Sequence, residues 1–132
     1  MYQIIAIIEK GSDGMYSVRS EQHIRNNFFG GFGRTVSEAK EDFIMSVQES
    51  VDEAKSEGLE VKDYIVSFRY DIPSFFAAFD FINASKFAQY AGINESKMRQ
   101  YKSGVAYPGE RTTRKILDAI HSIGSELSSV SL

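Results

Sequence analysis

The segment NASKFAQYAGINESKMRQYKSG, residues 83–104, has the pattern of two short helices joined by a tight turn. Asn83 and Asn94 each precede a run of helix-forming residues. An asparagine at that position caps a helix, because its side chain accepts a hydrogen bond from a free backbone N–H of the first turn. The pattern therefore predicts helices over residues 84–91 and 95–103.

Small and apolar residues in this segment fit a close crossing of the two helices. Gly92 suits the turn between them and Gly104 the end of the second, because glycine adopts positive φ angles without strain. Ala88 is small where the helices must cross, and Met98 and Tyr101 are placed to face inward. The spacing predicts a helix-turn-helix of about 20 residues.

The outer surface of the second predicted helix is polar and basic. The side chains left outward or flanking are Ser96, Lys97, Arg99, Gln100 and Ser103. The second helix of such a motif places its N-terminal residues in the major groove of DNA. There Gln100 can pair with adenine, and Arg99 or Lys97 with guanine. Glu95 would repel phosphate unless it accepts a hydrogen bond from a cytosine amino group. The pattern favours DNA binding, and the alternative is a plain packing unit.

A last helix follows the loop of residues 105–109. Arg111 and Arg114 begin it, where basic side chains and free backbone N–H groups suit phosphate oxygens. Its apolar stripe predicts a face packed in the core, formed by Ile116, Leu117, Ile120, Ile123, Leu127 and Val130. Gly124 permits close packing of another helix, including one from a second copy of the chain.

The first half of the chain predicts a small sheet. Residues 2–10 are apolar on both faces of a strand, which is typical of a central strand. A hairpin turn at Asp13-Gly14 leads to a second strand over residues 15–20. Residues 26–33 predict a short, glycine-rich third strand, and residues 64–70 alternate as a fourth.

One long helix precedes the fourth strand. Thr35 and Glu38 form a T-x-x-E capping box at its start, and Gly58 stops it. One apolar stripe runs along it, formed by Val36, Ala39, Phe43, Val47, Val51 and Ala54. Much of the rest is acidic, with Glu41, Asp42, Glu49, Asp52, Glu53 and Glu57.

These elements predict an α+β fold, in which a β-β-β-α-β unit precedes an all-α helix-turn-helix domain. Residues 72–81 are dense in aromatic side chains and start with Pro73, which suits the first turn of a helix. This predicted helix joins the two halves, so the expected domains are residues 1–71 and 72–132.

The glycine-rich stretch GGFGRT, residues 30–35, invites comparison with nucleotide-binding loops. It lacks the third glycine of the dinucleotide fingerprint and the G-K-[ST] ending of a phosphate loop. The simpler interpretation is that the glycines end a strand, allow a sharp turn and place Thr35 as a helix cap.

Catalytic and metal-binding patterns are weak. His23 lies in a polar loop and His121 on the last helix, and without cysteine the two histidines match no zinc-site spacing. A two-metal nuclease needs carboxylates that converge from several elements, whereas the acidic residues here lie mainly on the outer face of one helix. The sequence therefore predicts no enzyme activity, no cofactor and no metal.

Charge is divided unevenly along the chain. Residues 1–83 have 8 basic and 14 acidic side chains, a net charge of −6, whereas residues 84–132 have 7 and 4, a net charge of +3. Such asymmetry suggests two partners of opposite charge. The absence of cysteine fits a cytoplasmic protein, and no segment has the length of a signal peptide or a membrane span.

The two halves together resemble a known family. IIAIIEKGSDGMYSV (residues 4–18) and GFGRTVSEAKEDF (residues 31–43) resemble HicB antitoxins, whose N-terminal domain is a partial ribonuclease-H-like fold without its catalytic carboxylates. ASKFAQYAGINESKMRQYKSGVAYP (residues 84–108) with KILDAIHSIG (residues 115–124) resembles the Xre/Cro-type helix-turn-helix that some HicB proteins have. The resemblance covers nearly the whole chain except the aromatic helix and the tail.

The resemblance implies an antitoxin of a HicAB-type toxin–antitoxin system. HicB binds HicA, a small toxin that cleaves mRNA, and blocks its catalytic histidine, and the complex represses its own operon. The predicted partners are thus a HicA-like toxin and operator DNA, bound by a homodimer or higher homo-oligomer because a palindromic operator requires two recognition helices. The acidic first half complements a basic toxin.

The resemblance also implies which residues contact DNA. Asn83, Ser96, Lys97, Arg99 and Gln100 fall where relatives contact it, and Lys102, Arg111 and Arg114 complete the predicted DNA-binding set. Two departures affect the details. Glu95 stands where many relatives have glutamine, and residues 20–27 lack the proline-rich stretch common in HicB.

Two alternatives to the antitoxin remain open at the level of sequence. One is a solitary transcription regulator whose first half senses a small ligand or another protein. The other is an enzyme of ribonuclease-H type, which the missing convergent carboxylates disfavour.

Overall fold

The computed structural model describes residues 2–21 and 28–132, and this part of the chain is a mixed α+β structure with a four-stranded sheet and five helices. It divides into two compact units, Met1–Ser74 (unit 1) and Phe75–Leu132 (unit 2). The boundary predicted from sequence lies three residues earlier, and one helix runs across the division.

Unit 1 contains the sheet and the longest helix. In chain order its elements are β1 (Tyr2–Lys10), β2 (Tyr16–Ser20), β3 (Gly30–Gly33), α1 (Val36–Ser56) and β4 (Tyr64–Tyr70). The remaining elements are helical: α2 (Ile72–Ala78), α3 (Ala84–Ala91), α4 (Glu95–Ser103) and α5 (Glu110–Ser128). No helix in the described ranges has the length and apolar character needed to cross a bilayer.

β1 is an inner strand of the sheet, whose order is β3-β2-β1-β4. It pairs antiparallel with β2 and parallel with β4. Alternate residues Ile4, Ala6 and Ile8 are buried and join the core with Phe43 of α1. On the other side of β1, Ile5 and Ile7 are only half-buried, so the sheet has one fully packed face.

Helix α1 lies directly against β3, and this close approach explains the glycines of that strand. A Cβ atom at Gly31 would lie 2.4 Å from the backbone nitrogen of Phe43 and 2.6 Å from the carbonyl oxygen of Ala39. A Cβ atom at Gly33 would lie 2.6 Å from the backbone nitrogen of Ala39. These glycines therefore serve helix packing, a stronger constraint than the turn that the sequence suggested.

The capping box at the start of α1 is confirmed, with one difference. The hydroxyl of Thr35 accepts the backbone N–H of Glu38 at 3.1 Å. The Glu38 carboxylate accepts the backbone N–H of Arg34 at 2.8 Å, one residue before the N-cap residue. The first bond satisfies a donor that a helix start leaves free, and the second satisfies a backbone N–H just before the helix.

Aromatic side chains form much of the core of unit 2. Phe75, Phe76 and Phe87 have ring centroids 5.2–6.4 Å apart, distances at which edge-to-face and tilted pairs are favourable. The other buried apolar residues of this unit are Ala84, Ala88, Met98, Ile116 and Ala119.

Three boundary or burial predictions were wrong. β3 begins at Gly30, and residues 26 and 27 of the predicted strand lie outside the described residues, as does the loop that contains His23. The aromatic helix ends at Ala78, and Phe81 is exposed. In α5 only Ile116 of the predicted stripe is buried, and its exposed members are Leu117, Leu127 and Val130.

Candidate nucleic-acid interface

Helix α4 is fixed at both ends by local geometry. The side-chain oxygen of Asn94 accepts the backbone N–H of Lys97 at 3.1 Å, as predicted. Gly92 and Gly104 adopt φ angles of 71° and 79°, so each takes the left-handed conformation that ends a helix sharply. Met98 is fully buried under α4. The outer surface of the helix is therefore presented on a rigid support.

The structure places most of the predicted base-contacting residues on that outer surface. Ser96, Lys97 and Arg99 are exposed, and Gln100 is half-buried. Lys102 is exposed in the last turn of α4. Three cations and one carboxylate, that of Glu95, make this helix net positive.

Asn83 has a structural role that limits its use as a DNA contact. Its side-chain oxygen accepts the backbone N–H of Lys86 at 3.0 Å, which makes it the N-cap residue of α3. Its side-chain amide group can still donate, since that group is not used by the cap.

The start of α5 offers a second polar surface within unit 2. Gly109 is its N-cap residue and makes no side-chain capping bond, so free backbone N–H groups remain in the first turn. Arg111 and Arg114 are exposed there. This combination suits an anion such as a phosphate group, although Glu110 in the same turn opposes it.

The structure adds a hydrogen bond between α3 and α4 that the sequence did not predict. The side-chain amide of Gln89 donates to Oε1 of Glu95 at 2.7 Å. It links the end of α3 to the first residue of α4. The six-residue spacing spans a turn, so no helical periodicity pointed to the pair.

Two further residues near α4 were not predicted as candidates. Val105 and Tyr107 in the loop before α5 are 78% and 80% exposed. Tyr107 can donate a hydrogen bond from its hydroxyl group. The polar candidates were chosen by charge, which is why these two were missed.

Unit 1 has two features of its own. A pocket of about 360 Å³ lies between α1 and the sheet, with mainly apolar walls that include Ile4, Val47 and Val51 and with Lys62 among its lining residues. On the outer surface of α1, the exposed side chains of Ile44 and Met45 lie among carboxylates. None of the α1 carboxylates forms an ion pair with another described residue.

No constellation for metal chemistry was found in the described part of the chain. Within it, no group of three or more His, Asp and Glu side chains is arranged to hold a metal ion. His121 is exposed on α5, and His23 lies outside the described residues.

Comparisons with known proteins add no relative. No protein-family model, no curated protein and no solved structure matches the chain.

Proposed function

We propose that the chain is an antitoxin and autorepressor of the HicAB type, which binds operator DNA through α4 and a basic, mRNA-cleaving toxin through unit 1. The observation that carries the DNA-binding part is the outer surface of α4. It is polar and basic, capped at both ends and seated on the buried Met98. A surface held in this way is suited to enter the major groove without further ordering.

In this proposal α3, the turn at Gly92 and α4 act as the helix-turn-helix. Arg99, Gln100 and Lys97 read base edges, because guanidinium, amide and ammonium groups match the major-groove patterns of guanine and adenine. Arg111, Arg114 and the free N–H groups of α5 bind phosphate oxygens and fix the register on the duplex. Lys102 adds positive charge on the flank of α4.

The toxin-binding part rests on charge. Unit 1 has 13 acidic and 8 basic residues, and unit 2 has 5 and 7. A protein that binds RNA is basic. The carboxylates of α1, which form no ion pair with another described residue, therefore complement it and favour rapid association. Met45, 59% exposed at the centre of this surface, supplies an apolar anchor within a charged rim.

Operator binding also implies a second copy of the chain. A seam on α5 has the alternating four-and-three spacing of a coiled-coil contact. It is defined by Thr113, Leu117, Ile120, Gly124 and Leu127, which are exposed except for the half-buried Ile120. A Cβ atom built at Gly124 would meet nothing within 4 Å, so there is room for a large side chain of a partner helix. We assign this seam to pairing of α5 with α5 of another copy.

The test of the proposal is a co-expression experiment. The small open reading frame beside the gene is expressed alone and together with the tagged chain, and growth and co-purification are followed. If the small protein alone arrests growth, and the chain relieves the arrest and co-purifies with it, the antitoxin function is supported. Absence of both toxicity and complex would refute it.

DNA binding is measured separately with the upstream region of the gene. Fluorescence anisotropy at several salt concentrations should give an affinity that falls steeply as salt rises, because cations on the protein release counterions from the phosphates. A flat response between low and physiological salt would contradict phosphate-dominated binding.

One observation favours a second candidate function, a solitary regulator that senses a ligand. The pocket of about 360 Å³ in unit 1 is within the size range of small-molecule sites. A regulator of this kind would bind DNA in the absence of any toxin gene, and a small molecule would change its affinity. A neighbouring gene that encodes a basic, toxic protein, neutralised by this chain, would exclude the solitary regulator.

A further inference from the structure

Glu95 is the first residue of α4 and its only acidic one. It is half-buried, and its Oε1 accepts the amide group of Gln89 at 2.7 Å. Arg99 lies one turn further along the helix, yet within the described chain Glu95 makes no ion pair with it. The carboxylate is therefore held toward α3, and Oε2 has no hydrogen-bond partner among the described residues.

A carboxylate at this place can only accept hydrogen bonds. If α4 enters the major groove, the donors within reach of its first residue are the exocyclic amino groups of cytosine and adenine. The amino group of adenine lies between two acceptors, its own N7 and O4 of the paired thymine. The amino group of cytosine has an acceptor on one side only, since its other neighbour is the C5–H edge, so a carboxylate meets less repulsion there.

We propose that Glu95 reads a cytosine in each operator half-site and that Gln89 is a positioning residue, which holds the carboxylate in the orientation for this contact. The inference rests on the proposed DNA-binding function and adds its base preference. The single bond from Gln89 leaves one carboxylate oxygen for the cytosine amino group. Arg99, free of Glu95, remains able to bind guanine or phosphate.

The nearby cations make a carboxylate tolerable in the groove. Lys97, Arg99 and Lys102 belong to the same nine-residue helix and offset its negative charge close to the phosphates. Glu95 thus lowers the affinity for DNA in general but increases the preference for cytosine over other bases. The reason is that a wrong base leaves the carboxylate desolvated without a hydrogen-bond donor.

The test is selection of binding sites from a random DNA library by the full chain. The variants are Glu95→Gln, Gln89→Ala and, as a control, Glu110→Gln, which removes a carboxylate from the first turn of α5. The wild type should enrich cytosine at one position of each half-site by roughly tenfold or more over other bases. Glu95→Gln should lose that preference, favour adenine there and bind DNA in general more tightly.

Gln89→Ala should weaken the cytosine preference without changing the other positions, an effect that a merely structural contact would not produce. Glu110→Gln should keep the wild-type site. A matching measurement alters only the DNA: replacing the selected cytosine by 2-pyrimidinone, which lacks the amino group, should lower wild-type affinity about tenfold and leave Glu95→Gln almost unaffected.

The outcomes separate the inference from the function on which it rests. If the wild type enriches a site and Glu95→Gln enriches the same one, the reading of cytosine is wrong while DNA binding stands. If 2-pyrimidinone leaves wild-type affinity unchanged, the inference fails in the same way. If the wild type enriches no sequence at all, the inference and sequence-specific DNA binding both fail.

Discussion

Gly31 lies where the backbone of strand β3 meets the backbone of helix α1. We expect Gly31→Ala to lower the free energy of unfolding of unit 1 by roughly 2–3 kcal/mol, as overpacking of a rigid core does. The reason is that the added Cβ would lie 2.4–2.8 Å from backbone atoms of Ala39 and Phe43, and backbone atoms cannot move aside as a side chain can. Urea unfolding followed by circular dichroism measures the change.

Gly30 is the matched control for this substitution. It belongs to the same strand, but a Cβ there would meet only the carbonyl oxygen of Val18, at 3.7 Å. Gly30→Ala should therefore change stability by no more than about 0.5 kcal/mol. Equal effects of the two substitutions would show that strand propensity, and not the approach of α1, is the reason for the glycine.

Tyr70, at the end of β4, should make unit 1 less stable in alkali. Burial, and then the nearby Tyr16, raise the pKa of Tyr70 above its ordinary value of 10.0. The unfolded chain thus releases this proton at a lower pH than the folded chain, so the stabilisation is complete below about pH 10 and is lost as pH rises further. The free energy of unfolding, measured with urea between pH 8 and 11, should decline less steeply with pH for Tyr70→Phe than for the wild type. Identical slopes for the two proteins would refute this role.

Single residues were predictable where their role is local. Thr35, Asn83 and Asn94 were identified as caps because a cap needs only its own first turn, and the structure confirms all three. Gly31 was assigned to a turn, because its true constraint comes from a helix that packs on it from later in the chain. Gln89 was missed for the same reason, since its partner Glu95 lies across a turn.

At the scale of the element, α4 should account for operator recognition. We expect Arg99→Ala combined with Gln100→Ala to lower operator affinity about 100-fold, to the level of unspecific DNA, because two base contacts are lost. Binding to the toxin should be unchanged, since the proposed toxin-binding surface belongs to unit 1. Fluorescence anisotropy and a pull-down measure the two activities.

The control for this double variant is Arg34→Ala with Gln3→Ala. It removes the same two side-chain types from exposed positions of unit 1 and should leave operator affinity at the wild-type level. Loss of both activities in a folded Arg99→Ala, Gln100→Ala variant would contradict the assignment of one function to each unit.

Helices and strands were predictable where their pattern is periodic and their ends have caps. The mixed α+β class follows from such patterns, and the predicted bounds of α3 and α4 match those observed. The ends of β3 and α2 were placed wrongly because aromatic residues lie on both sides of each boundary, so the apolar pattern continues where the element stops.

At the scale of the whole molecule, the apolar residues of α5 divide into buried and exposed ones. The sequence assigned the entire stripe to the core, since periodicity shows which side of a helix is apolar but not how much of it the chain itself covers. Ile116 and Ala119 are buried, whereas Leu117 and Leu127 are 48% and 61% exposed. Leucines exposed to water at coiled-coil spacing are unfavourable in a monomer, whereas in a dimer they would be buried between two helices.

We therefore expect Leu117→Asp combined with Leu127→Asp to sediment as a monomer under conditions in which the wild type is a dimer, because charge on the seam cannot be buried against a second α5. Affinity for a duplex with two half-sites should fall toward that for a single half-site, since the second contact is no longer held close by the first. Leu59→Asp, at an exposed apolar position of unit 1, is the control and should stay dimeric. A wild type that is monomeric both free and on DNA would refute the pairing of α5, and recognition of each half-site would then depend on α4 of one chain alone.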